Sequence, residues 1–251
     1  MTKTLLITGG ASGIGAETAR RAAKRGYKVA INYRTRDAQA MGVAAEIAAN
    51  DGEAVALPGD MASEADIVRL FREVERVFGP VTHLVNSAGR GARSRVDAYD
   101  SATLNNLFAV NVIGLMLCCR EAAKRMSTKN GGKGGAIVNV SSMAATIGGR
   151  LGSSAYAASK GAVDAFTKGF AREVASEGIR VNSIRPGMVL SEMTEKNLAD
   201  AAFRSRIESS IPMHRVGETH EIAEAILWLL SDEASFITGA MLDAAGGGYI
   251  I

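Results

Sequence analysis

Short runs rich in β-branched and apolar residues alternate with longer segments of helical period along the whole chain, and this alternation constrains the fold more than any other feature. The helical segments fall at about 14–26, 37–50, 63–78, 101–127, 155–176 and 219–231. The strand-like runs are Thr4–Thr8, Lys28–Tyr33, Ala54–Leu57, Val81–Val85, Ala136–Ser141, Arg180–Ile184 and Ala240–Asp243. This order predicts an α/β fold, with one doubly wound, seven-stranded parallel sheet covered by helices on both faces and formed by a single domain over residues 1–251.

The segment from Met188 to Arg215 is the one long stretch in which no strand is predicted. Long segments of this kind often cover active sites. We therefore expect a substrate lid around residues 188–215.

Composition and charge exclude several classes of protein. With 47% hydrophobic and 22% charged residues, the chain has the make-up of a folded protein with a full core. Its net charge of +3 is too small to indicate a nucleic-acid or anionic-membrane partner. Cys118 and Cys119 are adjacent in an apolar stretch, so we expect them to be buried and unpaired. Residues 1–8 are too short for a signal peptide, and the longest apolar run, Leu107–Cys119, is too short for a membrane span, so we expect a cytoplasmic protein.

A glycine-rich turn follows the first predicted strand directly and opens the first helix. Glycine lets backbone N–H groups approach a pyrophosphate closely, and a helix N-terminus offers unpaired donors and the positive end of a dipole. By itself the glycine spacing is a weak signal, because a structural turn has the same pattern. The residues expected to bind the cofactor here are Gly9, Ser12, Gly13, Ile14 and Gly15.

The end of the second predicted strand indicates which dinucleotide is bound. In such folds a carboxylate here binds the adenosine 2′-hydroxyl, whereas an arginine suits a 2′-phosphate. The segment reads Asn32-Tyr33-Arg34-Thr35-Arg36, without a carboxylate before Asp37. Arg34 therefore favours NADP(H), with Asn32, Tyr33 and Thr35 as neighbouring contacts. An Arg34 side chain that merely projects into solvent is the alternative, and use of NAD(H) stays open.

Tyr156 and Lys160 are four residues apart on a predicted helix, which places them on one helical face. A neighbouring ammonium favours the phenolate, so Lys160 is expected to lower the tyrosine pKa toward the neutral range. Taken alone, this pair usually means two surface residues.

With these motifs in order, the chain resembles the short-chain dehydrogenase/reductase family from the first strand to the C-terminus, and glucose-dehydrogenase-like and 3-oxoacyl-carrier-protein-reductase-like members in particular. The resemblance implies a Rossmann-type fold, hydride transfer between a nicotinamide and an alcohol or carbonyl, and usually a homotetramer. The residues that carry it are Gly9, Gly13, Gly15, Asp60, Asn86-Ser87-Ala88-Gly89, Asn111, Ser142, Tyr156, Lys160 and Pro186-Gly187.

The resemblance also implies a role for each motif residue. Ser142 would hydrogen-bond the substrate oxygen, Tyr156 would exchange a proton with it, and Lys160 would hold the nicotinamide ribose. Asn111 would support a water relay. A serine and a tyrosine can both donate to the negative charge that develops on a reduced carbonyl oxygen. Further cofactor contacts are implied for Asp60 and Met61 at the adenine, Asn86, Ala88 and Gly89 at the riboses, and Pro186, Gly187, Val189 and Ser191 at the nicotinamide.

Two departures from the family pattern stand out. Ser142 and Tyr156 are fourteen residues apart where thirteen is commonest, which puts an extra residue in the loop from Gly148 to Ser154. Ser141 is an alternative hydroxyl, although strand alternation points only one of the two serines at the site, and Ser142 is preferred. Ser87 replaces a frequent second asparagine and keeps a hydrogen-bonding group.

The remaining side chains leave two questions open. The three histidines, His83, His214 and His220, are scattered without ligand spacing, so no metal site is expected. Four arginines close to the motifs are interpreted either as solvated loop charges or as selectors of an acidic substrate: Arg90, Arg93, Arg95 and Arg150.

We therefore expect an NADP-dependent oxidoreductase for a small-molecule alcohol or carbonyl. A sugar dehydrogenase, a non-catalytic NADP(H) sensor and a 3-oxoacyl-carrier-protein reductase are the alternatives. The last would use a basic surface formed by Lys124, Arg125, Lys129 and Arg172. A homotetramer should form through the helices at 101–127 and 155–176 and through the last strand, with the tail Gly246–Ile251 at a subunit contact.

Overall fold

A computed structural model describes residues 3–248 and contains the predicted seven-stranded parallel sheet, with the strand order β3-β2-β1-β4-β5-β6-β9. All seven predicted strands are present, with their ends shifted by two residues at most. Two further short strands, β7 and β8, pair only with each other. The strands are β1 Lys3–Thr8, β2 Tyr27–Tyr33, β3 Ala54–Pro58, β4 His83–Asn86, β5 Gly135–Val140, β6 Ile179–Pro186, β7 Val189–Leu190, β8 Gly217–Glu218 and β9 Met241–Ala244.

The predicted helices are also present, and the lid region adds two more. Their N-termini are fixed by side chains where the sequence supplies a cap, as where the Ser63 hydroxyl accepts from the N–H of Asp66. The helices are α1 Gly13–Lys24, α2 Asp37–Ala48, α3 Glu64–Phe78, α4 Ser101–Phe108, α5 Leu115–Met126, α6 Ala144–Ile147, α7 Ser154–Val174, α8 Glu192–Leu198, α9 Ala201–Ser210 and α10 Thr219–Leu230.

Two hydrophobic cores lie on opposite faces of the sheet, because successive side chains of a strand point to opposite sides. In β1, Leu5 and Ile7 enter the core formed with α1, α2 and α10. Leu6, between them, enters the core formed with α3, α5 and α7. The doubly wound arrangement predicted from the continuous apolar strands is thus confirmed.

The prediction of one uninterrupted helix over 101–127 is wrong in one respect. A π-helical turn, Ala109–Gly114, joins α4 to α5. At its end, the backbone of Gly114 packs directly on the carbonyl of Met61. A π turn inserts an extra residue into a helix and is frequent at functional sites.

The stretch Ser101–Met126 is long and apolar enough to cross a membrane, judged by length and composition alone. Buried core helices of soluble proteins pass the same test, and this one packs on the sheet. Cys118 and Cys119 are buried there and unpaired, as predicted. Burial raises the pKa of the Cys118 thiol to about 12.

The lid region differs from the expectation of a segment without strands. Its start, Val189–Leu190, pairs in parallel with Gly217–Glu218, just after its end. Between these strands, α8 and α9 enclose a small core around Leu198 and Ile211. The lid is therefore a folded two-helix cap with a two-stranded base.

The structure describes only the first three residues of the C-terminal tail that is predicted to lie at a subunit contact. Gly246 packs against Ile211 and Met213 of the same subunit, and its carbonyl accepts from the N–H of Met213 at 3.2 Å. Residues 249–251 lie outside the described residues.

Gly114→Ala should destabilise the fold, because the added Cβ would overlap the Met61 carbonyl oxygen. We expect a loss of at least about 2 kcal/mol in the free energy of unfolding, from overpacking against rigid backbone. The matched control is Gly42→Ala in α2, where an added Cβ meets no atom within 4 Å. This control should gain about 0.5 to 1 kcal/mol, the difference between glycine and alanine in a helix. Equal melting temperatures for the two variants would contradict the packing described here.

Candidate active site

A groove of about 510 Å³ lies along the carboxyl edge of the sheet. It crosses the position where the strand order reverses, between β1 and β4. Ligands of open α/β sheets bind at such a switch point. The predicted residues in its wall are Gly9, Ser12, Gly13, Ile14, Asn32, Tyr33, Arg34, Thr35, Asp60, Met61, Ala88, Gly89, Ser142, Tyr156, Lys160, Pro186, Gly187, Val189 and Ser191.

The glycine loop is shaped by backbone contacts that only glycine permits. Gly9 has a φ of +66°, and an added Cβ would lie 2.8 Å from the Cα of Ala88. Gly13, with a φ of +55°, is the first residue of α1. Gly15 does not reach the groove, because it packs beneath the loop against the carbonyl of Gly9. Its role is therefore to support the turn rather than to contact a ligand.

Asn32 fixes this loop to the ends of β2 and β3. Its side-chain Oδ1 accepts from the N–H of Gly9 at 3.3 Å. Its Nδ2 donates to the carbonyl of Gly59 at 3.0 Å. The sequence motif identified Asn32 as a groove residue, and the structure adds this positioning role.

Two arginines after β2 line one end of the groove. The Arg34 side chain is 51% exposed and lies 3.6 Å from the Asp60 carboxylate. Arg36 donates to the Ser12 hydroxyl at 2.9 Å and pairs with Glu192 at the start of α8. Arg36 and Glu192 were not predicted as site residues. The presence of two arginines in one short loop was a signal that could have identified Arg36.

The side chain of Asn86 does not border the groove, in contrast to the prediction that it lies beside a ribose. Its amide is buried inside the sheet, where it donates to Asn139 Oδ1 at 2.9 Å and to the sulfur of Cys119. As the last residue of β4, it points back into the protein rather than into the groove. The loop residues after it, Ala88 and Gly89, do line the groove.

Ser142 and Tyr156 bring two hydroxyl groups together in the groove wall. Tyr156 is the third residue of α7, and its hydroxyl lies near enough to Ser142 for that side chain to lower its pKa. Ser141, the alternative serine, is buried and donates to the carbonyl of Lys160 at 3.2 Å. The preference for Ser142 thus agrees with the geometry.

Lys160 is buried one helical turn after Tyr156. Its ammonium donates to the carbonyl of Val140 at 2.7 Å and lies 5.8 Å from the centre of the tyrosine ring. Burial lowers the pKa of Lys160 to about 8, and the Asp164 carboxylate opposes this fall.

The expectation that Lys160 lowers the pKa of Tyr156 is not met in this structure. Burial raises the pKa of the Tyr156 hydroxyl, and the hydrogen bond with Ser142 opposes only part of that rise. The ammonium is directed at the Val140 carbonyl instead of the phenol oxygen.

Asn111 lies behind the groove wall, in the π turn. Its Oδ1 accepts from the N–H of Arg90 at 2.8 Å, and its Nδ2 donates to the carbonyl of Arg90 at 3.0 Å and to Ser159 at 3.1 Å. These bonds fasten the loop after β4 to α7. Its predicted part in a water relay stays a prediction.

The far wall of the groove begins at the end of β6. Gly187 approaches Ala245 so closely that an added Cβ would lie 2.8 Å from the alanine Cβ. Ser191 and Thr194 form a capping box that starts α8 beside the glycine loop. This places the first turn of the lid against the groove.

A sequence model described as enoyl-(acyl carrier protein) reductase matches residues 9–249. An uncharacterized oxidoreductase of Escherichia coli, YgfF, is 44% identical to this chain over a region that covers 96% of this chain and 98% of the YgfF sequence. The 3-oxoacyl-[acyl-carrier-protein] reductase FabG of Staphylococcus aureus is 34% identical over 100% of this chain and 99% of its own. The chain belongs to the short-chain dehydrogenase/reductase family.

The fold of this dehydrogenase/reductase agrees with solved relatives. A short-chain type dehydrogenase/reductase from Mycobacterium ulcerans superimposes with a TM-score of 0.91 at 32% identity, covering 98% of this chain and 89% of that one. The protein is therefore an enzyme of the dehydrogenase/reductase class with the family's Rossmann-type fold.

Members of the family bind NAD(H) or NADP(H), and the groove of this dehydrogenase/reductase fits such a dinucleotide. At the Gly9–Ala88 contact there is no bulky side chain in front of the N-terminus of α1. A pyrophosphate can therefore accept hydrogen bonds from the backbone N–H groups there. Arg34 and Arg36 would hold the adenosine end, and Lys160 lies at the other. Among residues 3–248, no three histidine, cysteine or acidic side chains are grouped as metal ligands would be.

Lys160→Met should change how the stability of this dehydrogenase/reductase depends on pH. The pKa of Lys160 is about 8 in the folded protein, whereas its ordinary value, which applies to the unfolded chain, is 10.5. The unfolded chain therefore binds this proton more tightly. Between pH 8 and 10.5, native stability should therefore rise relative to the variant, by about 3 kcal/mol over the range. Chemical denaturation at several pH values measures the difference. A constant difference would mean that Lys160 is not held in a desolvated position.

Proposed function

We propose that this enzyme is an NADP-dependent oxidoreductase that interconverts an alcohol and a carbonyl through Ser142, Tyr156 and Lys160, with Asn111 as support. The observation that carries the proposal is that Ser142 and Tyr156 line one groove together with the buried Lys160, which follows Tyr156 by one helical turn. Two hydroxyl donors at one point suit an oxygen that gains negative charge. The bound nicotinamide would supply or accept the hydride.

The protonation states support carbonyl reduction at neutral pH. Since burial keeps the pKa of Tyr156 above its ordinary value, the hydroxyl stays protonated and can donate its proton to the substrate oxygen. Ser142 stabilises the same oxygen by a second hydrogen bond. Lys160, with a pKa of about 8, is mostly charged at pH 7 and can donate to a ribose hydroxyl or replace the lost proton.

Preference for NADP(H) is supported by the charges after β2. Arg34 is exposed toward the groove, and Arg36 follows two residues later. Their present partners are Asp60 and Glu192, both at or near the protein surface. A 2′-phosphate carries more charge than either carboxylate and would form charge-assisted hydrogen bonds with the guanidinium groups.

Tyr156→Phe should fold and bind NADPH while carbonyl reduction falls by about two to four orders of magnitude, the usual contribution of a positioned general acid. Tyr99→Phe is the matched control, because the Tyr99 hydroxyl only bonds Ser154 and the N–H of Ala155 at the start of the same helix. Its rate should fall less than about tenfold. Following NADPH absorbance against a panel of ketones, aldehydes, quinones, sugars and acyl thioesters measures both. Normal turnover by the Tyr156 variant would refute its role.

Arg34→Ala should weaken NADP(H) binding by about 1.5 to 3 kcal/mol, the value of a hydrogen bond to a charged group, with little change for NAD(H). Arg76→Ala, which removes an exposed arginine from α3, should leave both affinities unchanged. Calorimetric titration with each dinucleotide gives the comparison. An equal loss for both would contradict a 2′-phosphate site at Arg34.

A 3-oxoacyl-carrier-protein reductase is the second candidate, favoured by the activity that the name of the Staphylococcus relative states. However, most of the basic residues that were expected to dock the carrier protein are paired with acidic residues of this chain. Lys124 and Arg125 both pair with Glu121, and Lys129 pairs with Glu177. Acyl thioesters in the substrate panel decide between the two candidates. A sensor without catalytic activity would bind NADPH and reduce no member of the panel.

We also propose a cytoplasmic homotetramer. The β9 strand has β6 as its one neighbour in the described sheet, so its outer edge is open to a second copy. On the long helices, Ile113 is 54% exposed and Phe166 is only partly buried. The free, buried cysteines suit a reducing compartment.

Light scattering at micromolar concentration should give a mass near four times 26.2 kDa. A fully active monomer would contradict the assembly. Cell fractionation tests the location.

A further inference from the structure

Three arginines from separate segments converge beside the lid, outside the groove described above. Arg150 and Arg206 lie over the same Phe203 ring, with guanidinium carbons 4.7 Å and 5.5 Å from its centre. Arg93 is close enough for its charge to act on Arg150, whose pKa is lowered first by burial and then by the charges of Arg93 and Arg206. Three positive groups therefore share one small region.

None of the three has an acidic partner among residues 3–248. Their neighbours do: Arg95 pairs with Asp97 at 3.0 Å, and Arg204 pairs with Glu208 at 2.9 Å. All three residues are exposed, so an anionic group can reach them from solvent.

The cluster lies near the start of α7, the helix that carries the proposed catalytic tyrosine. Arg150 belongs to the loop that leads into α7, and Tyr156 is the third residue of that helix. The N–H of Ser94 donates to the carbonyl of Gly152 in this loop at 2.8 Å, which holds the segment carrying Arg93 against it. The shared phenyl ring belongs to lid helix α9. The three segments thus meet where the lid faces the start of α7.

We propose that Arg93, Arg150 and Arg206 form a subsite for an anionic group, a carboxylate or a phosphate, that the substrate carries away from its reacting carbonyl. This inference rests on the proposed carbonyl reduction. The guanidinium plane binds either anion through two parallel hydrogen bonds, and contact with an aromatic ring holds that plane in place.

The test uses ketones of one chain length that end in a methyl ester, a carboxylate or a phosphate, assayed with the full-length enzyme and NADPH at low ionic strength. In the double variant Arg150→Gln/Arg206→Gln, KM for the charged ketones should rise about ten- to hundredfold, as expected for the loss of charge-assisted hydrogen bonds. The ester should keep its KM, and kcat should change little for all three. The charged ketone whose KM rises more carries the anionic group that the subsite prefers. Arg93→Gln should give a smaller change in the same direction.

Arg95→Gln and Arg204→Gln are matched controls, because they remove arginines of the same loop and helix that already have carboxylate partners. They should leave every KM unchanged. A native enzyme that reduces the ester and the acids equally, or variants that affect them equally, would overturn the subsite and leave the proposed function intact. A loss confined to thioesters on an acyl carrier protein would overturn it in favour of protein docking. If no ketone is reduced, the proposed function fails, and calorimetric binding of the oxo acids to the native and double-variant proteins then decides the subsite alone.

Discussion

The close contact between two backbone segments at the centre of the sheet is the constraint on which the site depends. Gly9, after β1, packs against Ala88, after β4, with no room for a side chain between them. Because these strands are adjacent where the strand order reverses, the contact opens the groove in both directions from that point. Residues of the N-terminus of α1 and of the first turns of α7 both line this groove. Asn32 and Asn111 fasten the two loops from either side.

The burial of charge around Lys160 links the site to the edge of the sheet. Asp164, one turn further along α7, opposes the fall in the lysine pKa. Its carboxylate accepts from Arg185 at 2.8 Å, and Arg185 also reaches Asp243 in β9 at 3.3 Å. A chain of ion pairs therefore connects the Asp164 carboxylate, which acts on the lysine, to the strand that is proposed to meet a second subunit.

Residue spacing predicted the parts of the structure that local periodicity determines. The seven strands followed from apolar runs, and the placement of Ser142 and Tyr156 in one groove followed from the family resemblance. Asn86 was misplaced because the sequence gives no sign of whether the last residue of a strand faces the groove or the sheet interior. The direction of the Tyr156 pKa shift was wrong because it depends on desolvation and on where the Lys160 ammonium points. The pairing of Arg36 with Glu192 joins positions 156 residues apart, which no local pattern encodes.

The adjacent cysteines in α5 have a practical consequence. Burial raises the pKa of the Cys118 thiol to about 12, so the thiolate, the form that alkylating agents attack, is scarce at neutral pH. Burial also raises the pKa of Cys119 well above its ordinary value. Both sulfurs lie between the sheet and its helices, so they react only in molecules that have opened this face of the core. Thiol labelling of the unmodified chain thus counts core-opening events, and cofactor protection against labelling would report binding without any added probe.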